Sequence, residues 1–297
     1  MTDNADNFCV RPCDLFLLEQ WSSESSLPDD EQVTQIFGSF AKTSVTDRQN
    51  YQNQLSQRRV RSSADLEEAE RALLARVLLP SERRATGPWL RTYYGSGSDH
   101  VLQAMLSGNQ DLQSQVERAG GIISDAQRYD YGEAWQRIFT RIPQLLDNKR
   151  RVNSYDGELA AELTKAQKWE REDRKDVEEE GGDYEEDGMY WGDLYGQWHL
   201  AAQVAVMYVL DEETLGTSEQ GSSSDGKILV AWYDAYGKTV RWRRMAVAEV
   251  LEVHGLLSVG SYDDHPVWTK AEIGSAYDRE SESLPPTPEG EGDSDSD

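Results

Sequence analysis

Apolar positions recur every three to four residues through much of the first half of the chain, then alternate every two residues in one stretch of the second half. The helical spacing is clearest over 63–79, where Leu66, Leu73, Leu74, Val77 and Leu78 fall on one side. Ser62 and Ser63 can cap this helix, and Asp65, Glu67 and Glu68 suit its positive N-terminal end. Pro80 stops it. A second pattern runs through Val101, Leu102, Met105 and Leu106, then Leu112 and Val116, with Gly108 as a break and Gly120-Gly121 as its end. A third sets Trp135, Ile138, Phe139 and Ile142 on one face before Pro143. Three such amphipathic stretches bury their stripes against one another, so residues 61–153 read as a helical domain. Residues 1–60, rich in Ser, Asp and Gln with short apolar clusters at 15–18 and 33–40, read as a weakly ordered segment holding one or two weak helices.

Residues 154–188 continue a helical register through Leu159, Leu163 and Trp169, but charge soon dominates. A helix polar on most sides suits an acidic spacer between domains. Residues 189–273 read as β-rich. Their centre is Lys227–Trp242 (KILVAWYDAYGKTVRW), with four aromatic rings. Ile228, Val230 and Trp232 share one face of a strand, and Leu229, Ala231 and Tyr233 share the other, so the strand is central in its sheet. Gly237 supplies the turn, and Thr239, Arg241 and Arg243 alternate with Val240, Trp242 and Arg244 on the return. Residues 274–297, with Pro285, Pro286, Pro288 and an acidic run, read as a disordered acidic tail.

The run Trp232–Lys238, WYDAYGK, resembles the Tyr-x-x-Tyr-Gly-Asn signature of the Tudor domain family, with Lys238 in place of the Asn. Trp191, Trp198 and Ala201 stand where that family carries an aromatic, a second aromatic seven residues on, and a small residue. The resemblance covers residues 189–253. It implies a bent, five-stranded SH3-like β-barrel, closed by a strand around Val247, Val250 and Leu251, and an aromatic cage of Trp191, Trp198, Tyr233 and Tyr236. Such a cage holds a methylated Lys or Arg by contact between the cation and several ring faces. The same rings also suit barrel core and cross-strand pairing. The fold class expected is α+β: a helical N-terminal domain, a small C-terminal Tudor/SH3-like β-barrel and the tail.

Charge narrows the partners. The net charge is −25, and 154–188 together with the tail carry most of it. This argues against nucleic acid as a partner and favours basic protein segments. Arg241, Trp242, Arg243 and Arg244 form the one local patch suited to phosphate or nucleic acid, although intramolecular ion pairs with the linker or tail account for them more simply. Cys9 and Cys13 lie too far in sequence from all four histidines to suggest a zinc site, and Asp263-Asp264-His265 reads as a turn before Pro266. No phosphate loop, zinc-protease motif or nucleophile elbow occurs. No catalytic residue, metal or cofactor is assigned, and an enzyme is not expected. No stretch reaches membrane-spanning length and no signal peptide is visible, so the expected location is intracellular, with the nucleus a candidate. The expected function is that of a non-catalytic interaction protein whose barrel binds a basic or methylated Lys/Arg segment. The alternative is a structural or assembly protein, of viral type among others, using the barrel and helices for subunit contacts. Oligomeric state is not legible.

Overall fold

The structure, a computed structural model, describes residues 7–83, 88–147, 155–184, 188–216, 226–259, 265–278 and 281, without the side chains of Trp191 and residues 254–259. In chain order the elements are α1 (Pro12–Gln20), α2 (Asp29–Lys42), α3 (Val45–Arg58), a 3-10 turn (Ser63–Asp65), α4 (Glu68–Val77), α5 (Pro80–Arg83) and β1 (Trp89–Arg91). Next come α6 (Ser98–Ser107), α7 (Gln110–Arg118), α8 (Ala126–Tyr129), two 3-10 helices (Trp135–Thr140 and Pro143–Leu146) and α9 (Tyr155–Glu179). The remainder is α10 (Trp191–Leu194), α11 (Gly196–Ala202), β2 (Gln203–Leu210), α12 (Glu212–Leu215), β3 (Ile228–Asp234), β4 (Thr239–Met245), α13 (Val247–Val259), α14 (Pro266–Thr269) and β5 (Glu272–Ile273).

The α+β class is observed, and the strands form one sheet in sequence order, β1-β2-β3-β4-β5. β1 runs parallel to β2, and the other neighbours are antiparallel. Every residue of β3 is buried. Its two faces lie in different cores, as the apolar pattern on both sides requires. Ile228, Val230 and Trp232 pack with Val206, Tyr208, Trp198, Val250 and Trp268. Leu229, Ala231 and Tyr233 pack with Met207, Val209, Trp135, Phe139 and Tyr155. A third core, around Leu15, Phe37, Phe40 and Leu74, belongs to α1–α4.

Several expectations change. The sheet is open rather than closed into a barrel: the three-residue β1 and two-residue β5 lie at its two ends, and helices cover both faces. β1 comes from the stretch assigned to the helical domain, so the sheet crosses the boundary drawn at 189. Trp89 of β1 stacks on its register partner Tyr208, ring centres 4.6 Å apart. The stretch 198–210 divides into the end of α11 and all of β2. The closing strand around Val247 is instead helix α13, with Val250 and Val253 buried at a spacing of three. The expected third helix is a pair of 3-10 helices, the second starting at Pro143.

Residues 12–58 form three helices with their own core rather than a weakly ordered segment. Phe16, Phe40 and Tyr51 meet edge to face there, with centroids 5.3–6.4 Å apart. The acidic spacer is helical as expected, but it packs against the sheet: Tyr155, Ala166 and Glu170 are buried, and Tyr155 Oη donates to Ala202 O. Most of the acidic tail, 282–297, lies outside the described residues, as does most of the Ser/Gly loop at 216–226. Tyr277, at the start of the tail, is buried.

One buried acid ties the helices to the sheet region. Glu82 of α5 is fully buried and accepts from Arg141 Nε and Nη2, from Tyr129 Oη at 3.0 Å and from Leu79 N at 2.8 Å. Arg128 Nη1 stands 3.7 Å away, and both arginines also reach Asp30 of α2. Removing one partner of such a set leaves the others charged and dry. Glu82→Ala therefore costs about 3–5 kcal/mol in urea unfolding. Arg58→Ala, which breaks the half-exposed Arg58–Glu70 pair, costs less than about 1 kcal/mol.

Candidate interaction surface

The hairpin signature has a structural explanation here. Asp234 Oδ1 accepts from the backbone N–H groups of Tyr236 and Lys238, each at 2.8 Å, closing the turn. Gly237 has φ of 79°, and a Cβ there would fall 2.4 Å from the Phe139 ring, so both conformation and space require glycine. Tyr233 is buried against Phe139 and Trp135 and donates its hydroxyl to Leu145 O at 3.0 Å. Tyr236 is half-buried, donates to Asp156 Oδ1 at 3.0 Å and faces the Arg48 guanidinium 5.5 Å from its ring centre. Trp198 is buried on the opposite side of the sheet with Tyr195, His199 and Tyr277. The geometry thus separates Trp198 from Tyr233 by the sheet itself and places no open cage between them. The backbone of Trp191 begins α10, and its side chain lies outside the described residues.

The basic stretch of β4 is spent internally. Arg241 is buried and donates to His199 Nδ1, Trp268 O at 3.1 Å and Gly192 O at 2.7 Å, with its guanidinium 4.9 Å from the Trp268 ring centre. Trp242 packs half-buried on the opposite face. Arg243 reaches Glu249 at 3.3 Å and Pro266 O. Arg244 grips both oxygens of Asp211 and pairs with Glu213 at 2.7 Å. These partners belong to α10–α14 and the turn before α12 rather than to the linker or tail. His265 accepts from Val267 N, capping α14, and lies 3.4 Å from Glu252; Asp263 and Asp264 are outside the described residues.

Arg241 and Tyr277 fix the state of His199. Nδ1 accepts from the guanidinium, so Nε2 carries the proton and donates to Tyr277 O at 3.2 Å. Burial, then the neighbouring Arg241 charge, holds the imidazole pKa down at about 3. Tyr277 Oη in turn donates to Asp234 Oδ2 at 2.7 Å, so the residues after β5 are tied to the hairpin turn.

The exposed chemistry lies elsewhere, on α9 and the segment leading into α10. Of the four large exposed apolar side chains among the described residues, three are Trp169 (47% exposed), Met189 (56%) and Tyr190 (63%). Helical spacing sets Trp169, Asp173 and Asp176 on one face of α9. Met189 N donates to Asp173 Oδ2 at 2.8 Å, which brings the second segment onto that face. α9 itself is anchored on the neighbouring face through Leu159, Leu163 and Ala166, and through Glu170, which accepts from Tyr195 Oη at 2.8 Å; Asp173 lies at the edge of that face and is half-buried. Lys168 and Lys175 pair with Glu172 and Glu179, whereas Asp173, Asp176, Glu178 and Glu180 enter no ion pair among the described residues. The result is an aromatic and thioether surface set in uncompensated negative charge. Apart from the charge density and Trp169, the sequence did not point to it: what joins Met189 to Asp173 is a backbone hydrogen bond.

No helix among the described residues is long and apolar enough to cross a membrane. No family model, curated protein or solved structure matches the chain.

His199 provides a measurable signature. The unfolded imidazole takes up a proton near its ordinary 6.5, but the folded one not until about 3, so its contribution to stability falls as pH drops between those values. In urea unfolding across that range, His199→Phe shows a shallower loss of stability toward acid than the wild type. At neutral pH it is less stable by about 2 kcal/mol, because Arg241 loses an acceptor.

Proposed function

We propose that this is a non-catalytic interaction protein that binds a basic protein segment, Lys/Arg-rich and either unmodified or methylated, on the surface formed by α9 and residues 189–190. The observation that carries this reading is the coincidence of exposed Trp169, Met189 and Tyr190 with Asp173 and Asp176 on a rigidly packed helix. Aromatic faces attract cations, and carboxylates around them raise the local concentration of basic ligands and speed their encounter. Methylation leaves the positive charge in place and lowers its hydration, so an exposed aromatic surface accepts both forms. Because the hairpin rings are committed to packing and to internal hydrogen bonds, this reading moves the binding site from the sheet to the helix.

An exposed cation–π contact contributes about 0.5–1 kcal/mol, so the complex is weak, on the order of micromolar to millimolar. Calorimetric titration of the full chain with a Lys/Arg-rich peptide should show binding that weakens steeply with added salt. Trp169→Ala and Tyr190→Ala should each reduce affinity about two- to fivefold without unfolding the protein. Unchanged binding by both variants contradicts the assignment.

A further inference from the structure

The first three helices dock onto the rest of the molecule across an unusual junction. Asp14 of α1 is 1% exposed, and its Oδ2 accepts from Arg11 N at 2.7 Å. Its Oδ1 lies 3.4 Å from Gln144 Nε2, on the second 3-10 helix. Asp147 follows on the same segment, with its Oδ2 buried and without a hydrogen-bond partner; Gln144 Oε1 is likewise buried and unpartnered. The charged groups facing this pair are Arg11 beside α1 and Arg48 of α3. Cys13, buried next to Asp14, completes the titratable set.

Arg48 is 3% exposed but only partly available. Its donors go to the carbonyl oxygens of Thr43 (3.1 Å), Ala41 (2.7 Å) and Ala235 (2.6 Å) in the hairpin turn, and Asp147 Oδ1 is 4.0 Å away. One fully buried carboxylate and one largely buried one, Asp147 with 15% of its side chain exposed, thus confront one buried cation engaged elsewhere, while Arg11 makes no ion pair with either among the described residues.

We propose that Asp14 and Asp147 form a proton-operated clasp: protonation tightens the docking of α1–α3 against the hairpin turn and the second 3-10 helix, and ionisation loosens it. A protonated Asp14 has a hydrogen to donate, and Gln144, with its amide turned over, offers the unpartnered Oε1 to receive it. The ionised Asp14 accepts from Gln144 Nε2 only at 3.4 Å, which leaves Gln144 Oε1 and Asp147 Oδ2 buried without partners, and the two carboxylates repel across the junction. Burial pushes Asp14 up to about 7 and Asp147 up to about 6. The sign follows. The unfolded carboxyls lose their protons near 3.8, but the folded ones keep them to 6–7, so this contribution to stability is full at low pH and is lost as pH rises through that window.

Hydrogen exchange of the full chain, corrected for intrinsic rates and followed from pH 5 to 8, tests the clasp. Asp14→Asn mimics the protonated acid, and the difference between it and the wild type cancels the opposing His199 contribution. The amides of α1–α3 in the two proteins should be protected equally at pH 5. With rising pH the wild type should fall behind by up to about tenfold per pH unit for one proton. Asp147→Asn removes the like charge that helps keep Asp14 protonated, so the loss due to Asp14 should move to lower pH and, with one proton released instead of two, become shallower. Protection of α1–α3 that is independent of pH in the wild type overturns the proposal. So does an Asp14→Asn protein with the wild-type slope, or one that fails to fold.

Discussion

The structure depends on the burial of β3 on both faces. A seven-residue strand with Ile228, Val230 and Trp232 on one side and Leu229, Ala231 and Tyr233 on the other cannot be satisfied by a single covering layer. One core is built from α11, α13, α14 and β1. The other draws on α8, the two 3-10 helices and the start of α9, all of them earlier in the chain. Segments more than a hundred residues apart therefore share the same strand, and each carries part of the apolar area that drives folding.

That demand also accounts for the fate of the aromatics. In a small barrel with one wet rim, rings of the hairpin can stand open to a ligand. Here Tyr233 fills a gap beside Phe139, Trp198 sits across the sheet with Tyr277, and Tyr236 holds Arg48 and Asp156. The arginines of β4 follow the same logic. Arg241 becomes a buried donor to carbonyls and a neutral imidazole, a role that holds α10, α11, α14 and β4 together at one point. What is left exposed is the face of α9 beside its packed one, negative because the helix carries more acids than bases.

Much of this was legible where one physical signal dominated. The two-sided apolar pattern of β3 marked it as central, Gly237 marked the turn, and Gly108 separated α6 from α7. The spacing of Leu159 and Leu163 correctly began α9. Legibility failed where the signal was short or shared. Trp89–Arg91 is too brief to show a period, so the sheet's parallel edge and the chain-wide topology were invisible. Val247, Val250 and Val253 suit a helix and an apolar strand alike, and only burial against β3 and β4 decides between them. In residues 12–58, the Gln- and Ser-rich outer faces diluted the stripe formed by Val33, Ile36, Phe37 and Phe40. The junction of Asp14 with Asp147 was beyond reach for another reason: the two lie 133 positions apart in the numbering and meet only through tertiary docking.

The central claim is that one two-faced sheet unites the chain, so that the C-terminal region is not a detachable module. Expression of residues 189–281 alone tests it most directly, with unfolding followed by near-ultraviolet circular dichroism and tryptophan emission. Without β1, the 3-10 helices and α9, one face of β3 and the edge of β2 are bare, and the fragment is expected to show solvent-exposed tryptophans and no cooperative transition. A fragment that unfolds cooperatively, with the Trp232 environment as dry as in the full chain, would contradict the account.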